Sequence, residues 1–371
     1  MRINLDLRNA LWGGGISNYV RNIALQISTS YKDLELVGCY NSTRGRKKSD
    51  YNWFNGKIKS SCIPDRIAYN NQFCLPISYE TMMTSNADIN LFLTYRLPFM
   101  DFKKPVVSTI HDIILLKTGC EAQKVLKEHK AILDYTIKKS KYLITVSENS
   151  KKDICETFNF NPDNIFVVHN GIHVSEFTQK ESPDREKEVR DKYKIPSKFI
   201  LNLGAYRIHK NIERLIQAYS QTEKEFRKEV KLVITNQHPD LVKEVGKWGI
   251  EEDVLFTTYI AEEDKPILYN MALMVYYASL YEGWGVPIIE AQASRTPVIT
   301  SKIASMPEAS NGYAVLVDPF NVDEIKRAIM MLAEDKCLRD DLILNGYNNA
   351  VRYTWDNSGK ELYSALKQMT F

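Results

Sequence analysis

Short apolar runs separated by longer amphipathic stretches recur along the whole chain. In the first half, residues 3–7, 34–37, 89–93, 106–110, 142–146 and 165–168 form brief runs dominated by Ile, Val and Leu. Their length and composition predict buried strands. Between them, residues 17–27, 122–139 and 149–158 place apolar positions at helical spacing. Ser147 stands where it would cap the last of these helices. The second half repeats the theme, with strands predicted at 199–203, 230–234, 254–256, 274–277, 297–300 and 314–317. Helices are predicted there near 211–220, 241–247, 287–294 and 322–334. Strands alternating with helices predict an α/β fold, a doubly wound parallel sheet covered on both faces.

At 371 residues the chain exceeds one ordinary core, which predicts two domains. The polar stretch 178–191, rich in charge and containing Pro183, reads as the linker. The preceding Asn170-Gly171 reads as a turn. The expected domains are residues 1–173 and 174–350, with 351–371 as a final helix whose packing the sequence leaves open.

Composition narrows the class. Hydrophobic residues make up 44% and charged residues 26%, as in a globular protein. No apolar run reaches the 18 or so residues of a membrane-spanning helix. Charges also interrupt the N-terminal residues Met1 to Arg8, so the expected location is the cytoplasm. The six cysteines form no CxxC pair, which predicts neither a disulfide framework nor a zinc site. His169 and His173 have zinc-like spacing, but the Asn-Gly turn breaks the helix such a pair needs.

Residues 1–170 hold 23 Lys+Arg against 16 Asp+Glu, a net +7, and the remainder hold 26 against 30, a net −4. A basic first half suits an acidic acceptor or an anionic membrane surface. Ordinary solubilising charge explains it as well. Arg44, Arg46, Lys47 and Lys48, followed by Trp53 and Phe54, read either as a membrane-surface patch or as a polar loop. No nucleic-acid motif accompanies the charge.

The chemistry concentrates in the run Ser279-Leu280-Tyr281-Glu282-Gly283-Trp284-Gly285-Val286-Pro287-Ile288-Ile289-Glu290. Pro287 predicts a helix start, which leaves Glu282 in a strand-to-helix loop and Glu290 about one turn into the helix. Two acceptor carboxylates suit a ligand rich in hydroxyls. Glycines at a helix N-terminus let backbone N–H groups approach an anion. A sugar joined to a diphosphate needs both features. Lys210 is a cation at a helix start, which opposes the helix dipole unless an anion binds there.

These runs resemble the family 4 glycosyltransferases. The resemblance also rests on Gly204-Ala205-Tyr206-Arg207-Ile208-His209-Lys210-Asn211, the early glycines with Tyr19, Ile110-His111-Asp112, His169-Asn170-Gly171-Ile172, Ser305-Met306-Pro307-Glu308 and Leu316-Val317-Asp318-Pro319. It implies the GT-B fold, two Rossmann-like domains facing across a cleft, the first on the acceptor side and the second holding the nucleotide sugar. It further implies a metal-independent, retaining hexosyltransferase with no cofactor, the nucleotide sugar being a substrate.

By resemblance, Glu290 meets the donor ribose, Glu282 the donor sugar, and the backbone of Gly283, Trp284 and Gly285 the sugar and phosphate. Lys210 neutralises the diphosphate, assisted by Arg207 or His209, because Ala205 stands where many members have arginine. Gly14 and Gly15 match the loop that closes on the donor phosphate. His111 matches a histidine near the reacting carbon, and Asp112 orients it or meets the acceptor.

The motifs are most similar to those of bacterial surface-polysaccharide enzymes, O-antigen and lipopolysaccharide assembly included. GDP-mannose is therefore the first expected donor. The expected acceptor is a growing, lipid-linked oligosaccharide at the inner membrane, with peripheral contact there. The alternatives are a UDP- or dTDP-sugar transferase, a sugar synthase or phosphorylase with a soluble acceptor, and a non-catalytic GT-B binding subunit.

Overall fold

The structure is a computed structural model and describes residues 1–42, 45–70, 74–178 and 182–370. The chain divides into two compact units, Met1–Gly171 with Trp355–Phe371, and Ile172–Thr354. Each is built on a parallel sheet.

In the first unit the strands are β1 (Arg2–Asp6), β2 (Glu35–Asn41), β3 (Lys57–Ser61), β4 (Leu75–Ser78), β5 (Ile89–Phe92), β6 (Met100–Asp101), β7 (Val106–Thr109), β8 (Tyr142–Thr145) and β9 (Ile165–Val167). Seven of them pair in the order β3-β2-β1-β5-β7-β8-β9, and β4 pairs with β6. The order reverses between β1 and β5. Every residue of β5, β7 and β8 is buried, which is why these strands read as continuous apolar runs rather than as alternation. The helix Glu148–Phe158 starts where Ser147 Oγ accepts from the Ser150 N–H, satisfying one of the free amides of its first turn.

The second unit holds β10 (Phe199–Asn202), β11 (Lys231–Thr235), β12 (Val254–Thr257), β13 (Met274–Tyr277), β14 (Val298–Ser301) and β15 (Val315–Val317), in the order β12-β11-β10-β13-β14-β15. Here the order reverses between β10 and β13. Its core joins Ile200, Leu232, Ile234 and Tyr276 of the sheet to Leu215, Ile216 and Ile329 of the covering helices. The fold is α/β and doubly wound in both units, the GT-B pair of sheets.

Two expectations change, and the packing left open for the final helix is filled in. The stretch read as a linker is largely the helix Pro183–Tyr193, capped by Ser182. It is tied down by the fully buried Asp264, which accepts from Arg185, from Lys192 at 2.7 Å and from the Tyr193 hydroxyl at 2.7 Å. Its polar surface hid that anchor, which lies far along the chain. The final helix, Trp355–Gln368, belongs to the first unit. Gly359 meets Gln26 there so closely that a Cβ would lie 3.0 Å from the Gln26 Cβ. The basic–aromatic patch does not form one surface. Arg46 is buried in an ion pair with Asp65 at 2.9 Å, and Phe54 is buried. Lys47 and Lys48 are exposed, and Arg44 lies outside the described residues. Among the described residues no helix is long and apolar enough to cross a membrane.

Candidate active site

In open parallel sheets the loops leaving the carboxyl ends of two strands at a reversal of order diverge and leave a crevice. In the second unit those strands are β10 and β13. The loop after β10 carries Lys210 at the end of a short 3-10 turn, Ile208–Lys210. The loop after β13 carries Glu282. Two anchors bring them together. Asn211, buried and in the left-handed region at φ 59°, donates to the carbonyls of Ala278 at 3.1 Å and Pro319 at 2.7 Å. The Leu280 N–H donates to the His209 carbonyl at 2.7 Å.

The Lys210 Nζ then donates to Glu282 Oε1 and to the Tyr277 hydroxyl, each at 2.6 Å. Burial works against both charges, but each is outweighed by the other partner. The Tyr277 hydroxyl and the Glu282 carboxylate hold the lysine above its ordinary value, while Lys210 holds the Glu282 carboxyl below its own. The pair is therefore ionised at neutral pH. An ammonium has three donors. Two are used here, which leaves a third for an incoming anion, while Glu282 keeps its second oxygen as an acceptor.

His209 and Arg207 differ as second cations. Burial lowers the His209 imidazole below its ordinary value despite the nearby Glu282, so it is neutral at physiological pH. Arg207 is exposed and donates to the Tyr206 carbonyl at 3.1 Å.

Ser305 helps hold the loop from Glu282 to Gly285. Ser305 Oγ sits 2.8 Å from the Glu282 carbonyl and 2.6 Å from that of Trp284. The Trp284 ring is buried against Tyr353, with centroids 5.0 Å apart. Gly285 caps the helix Val286–Ala293 at φ 129°, and a Cβ there would lie 3.0 Å from the Ile288 Cδ1. Side chains rarely adopt that conformation. Glu290 projects from this helix and accepts from the Tyr269 hydroxyl at 2.8 Å. Burial raises its carboxyl above the ordinary value, the tyrosine opposing.

The remaining predicted residues lie in the first unit. Gly14, at φ 85°, precedes the helix Gly15–Ser30, whose first turn has no side-chain cap. Its leading amides are thus of the kind that receive an anion. His111 follows β7, and its Nε2 lies 3.1 Å from the Leu93 carbonyl. Its ring meets Tyr19 edge-on, with centroids 4.7 Å apart. Burial pushes the imidazole down to about 4. A neutral ring must then carry its proton on Nε2 to serve that carbonyl, leaving the Nδ1 lone pair as an acceptor. Asp112 Oδ1 accepts from the Ile114 N–H at 2.9 Å, which shapes the turn after the histidine.

Lys210 and Glu282 thus meet directly, and His209, Gly283, Trp284 and Gly285 flank them. Glu290 is held separately by Tyr269. Sequence reading missed Tyr269, Tyr277, Asn211 and Ser305. Asn211 and Ser305 stood inside quoted motifs, and only their buried side-chain bonds reveal the positioning role. Tyr277 closes an apolar strand and reads as core.

Residues 13–176 match the family described as Glycosyltransferase Family 4, and residues 184–349 the family described as glycosyl transferases group 1. The chain is 28% identical over 284 residues to the O-antigen chain mannosyltransferase B of Escherichia coli, covering 75% of this chain and 72% of that one. It is 30% identical over 254 residues to the O-antigen chain mannosyltransferase RfbU of Salmonella typhimurium, covering 67% and 65%. Against the longer serotype-specific mannosyltransferase WbdA of Escherichia coli, the match spans 27% of that protein. Among solved structures, the Anabaena protein HepE in complex with UDP-glucose superposes with a TM-score of 0.73 at 17% identity over the whole of both chains, a likeness of fold.

Proposed function

This chain belongs to the family 4 glycosyltransferases, and from that premise we propose that it transfers a mannosyl residue from GDP-mannose to a growing oligosaccharide of O-antigen type. The observation that carries the reading is the ionised Lys210–Glu282 pair at the carboxyl end of β13, beside the glycine loop and an uncapped amide cluster of the second sheet's crevice. Hexosyl transfer is the class of chemistry that the relatives' names support. The mannosyl donor rests on all three of the relatives named above being mannosyltransferases.

In this reading the third donor of Lys210 meets the diphosphate, whose charge grows as the bond from the anomeric carbon to the phosphate oxygen breaks. Arg207 supplies the second positive charge in place of the neutral His209. Glu282 keeps one oxygen on Lys210 and offers the other to sugar hydroxyls. Glu290, steadied by Tyr269, accepts from the ribose. His111 accepts from a sugar hydroxyl through Nδ1. The acceptor hydroxyl attacks the face that the phosphate leaves, and its proton passes to the departing phosphate oxygen, so the anomeric configuration is retained. The acceptor is lipid-linked, and the chain meets it at the cytoplasmic face of the inner membrane.

A thermal-shift screen with GDP, UDP, dTDP and ADP in the presence of EDTA tests the donor class. A ligand that binds only the folded state at a hundredfold excess over its Kd adds about 2.7 kcal/mol. The expected result is stabilisation by GDP above the others. A larger shift with UDP or dTDP would reassign the donor, and no shift with any nucleotide would favour a non-catalytic subunit.

A further inference from the structure

We propose that Tyr19 is a positioning residue for His111, and that the helix Trp355–Gln368, from the far end of the chain, is built into the first unit to hold Tyr19 in place. The contact between Nε2 and the Leu93 carbonyl, 3.1 Å long, fixes one atom of the His111 imidazole but lets the ring turn about that bond. Packing must set the plane. Tyr19 supplies it, with ring planes 86° apart and centroids at 4.7 Å, an edge-to-face geometry that aromatic rings favour. Tyr19 is fully buried. Trp355, also buried, meets it in turn, with planes 68° apart and centroids at 6.2 Å. Three rings stand in series, and His111 is the first of them.

Tyr19 lies in the first turns of the helix Gly15–Ser30, whose start has no side-chain cap. Uncapped helix ends tend to fray. The returning helix opposes this from outside. It touches the Gly15–Ser30 segment at three levels: Trp355 on Tyr19, Gly359 on Gln26, and Tyr363 stacked on Tyr31 with centroids at 4.0 Å. Residues 355, 359 and 363 are four apart, so they share one helix face. At the middle level a missing side chain lets the two helices close up, because a Cβ on Gly359 would lie 3.0 Å from the Gln26 Cβ.

Hydrogen bonds pin the same helix elsewhere. The Tyr363 hydroxyl and Lys367 Nζ donate to Asp33 at 2.9 and 2.6 Å. Glu361 accepts from the His169 N–H at 2.8 Å and lies 3.0 Å from Nδ1 of the same histidine, which joins the helix to the segment after β9. Tyr19 and His169, two motif residues that the donor chemistry does not use, thus gain one shared role.

The ring of Tyr19 does this work, and the hydroxyl does not. That hydroxyl is buried and has no hydrogen-bond partner among the described residues. Burial, with the Glu361 carboxylate adding to it, keeps the phenol protonated. The ring plane in turn aims the His111 Nδ1 lone pair. What that lone pair meets rests on the transferase reading above; the restraint on the ring does not.

The test uses the full chain labelled with ¹⁵N-histidine, with the His111 signal assigned by its loss in His111→Gln. Without donor, the parent should show one neutral tautomer, protonated on Nε2, that titrates near 4. Tyr19→Leu should mix the tautomers and move the titration towards the ordinary 6.5. It should also lower kcat by up to about a hundredfold, the scale of a misplacement of about 1 Å. Donor KM should change little, because Lys210 and Glu290 keep their own partners. Tyr19→Phe keeps the ring and should restore most of both readouts. Trp355→Leu leaves the Tyr19 ring intact and should shift the His111 signal the same way by less; it serves alone if Tyr19→Leu does not fold. An unchanged His111 signal in both leucine variants, or Tyr19→Phe as damaging as Tyr19→Leu, would overturn the proposal. A parent that transfers no sugar, with the His111 signal responding as expected, would sink the transferase reading and leave the positioning role standing.

Discussion

His111 makes the protein's stability depend on pH in a way that can be sized from its surroundings. The imidazole is pushed down to about 4 from an ordinary 6.5 by burial, and its hydrogen bond to the Leu93 carbonyl only partly opposes this. At 1.36 kcal/mol per unit, a depression of that size is worth about 3 kcal/mol. The sign follows from which state takes the proton. The unfolded chain protonates this histidine first, so the contribution is present in full above about pH 6.5 and is lost as pH falls towards 4. Between about pH 7 and pH 5, roughly 2 kcal/mol of it should disappear. Urea unfolding of the parent and of His111→Gln at the two pH values isolates it, because the other histidines are common to both. The parent should lose about 2 kcal/mol more than the variant. Equal losses, or an imidazole that titrates near 6.5 by NMR, would refute the claim that the ring is neutral and presents Nδ1 as an acceptor.

Other residues give independent tests. Lys210→Met should lower kcat by about 10²–10³, the scale of losing one preorganised electrostatic contact, with a smaller change in donor KM; wild-type turnover would remove Lys210 from the site. Because the Glu282 carboxyl is lowered, its pairing should stabilise the fold above the ordinary carboxyl range and fade as pH falls through its depressed value. Glu282→Gln should abolish that acid limb in a denaturation series. Gly285→Ala combines φ 129° with a 3.0 Å approach to Ile288, and should cost about 1–3 kcal/mol by the same denaturation assay. Ser305→Ala frees two loop carbonyls and should raise donor KM more than it lowers the melting temperature.

Much of this architecture was legible in the sequence, and the exceptions have physical causes. Strands buried on both faces announce themselves as apolar runs, so the strands of both central sheets were readable apart from the edge strand Lys57–Ser61. That strand alternates lysine with smaller residues and is half exposed, which leaves little apolar signal. The helix Pro183–Tyr193 was misread because its stabilising partner, Asp264, is about seventy residues away and charged. Lys210 and Glu282 were legible as types in a loop, but not as a pair, since their meeting depends on the adjacency of β10 and β13. The positioning residues Asn211 and Ser305 act through buried bonds to backbone carbonyls, and no spacing rule encodes these. Tyr277 and Tyr269 looked like core because they are core, each with one hydroxyl turned to a carboxylate or lysine.

Sugar transfer from a nucleotide donor at the Lys210–Glu282 loop is the function that most needs a direct test. The most direct measurement is transfer from GDP-mannose to a lipid-linked mannosyl acceptor in EDTA, with the product's anomeric configuration read by NMR and Lys210→Met run beside the parent. The expected result is an α-linked mannosyl product, the configuration of the donor, formed by the parent and lost in the variant. A β-linked product, or equal turnover by parent and variant, would contradict it.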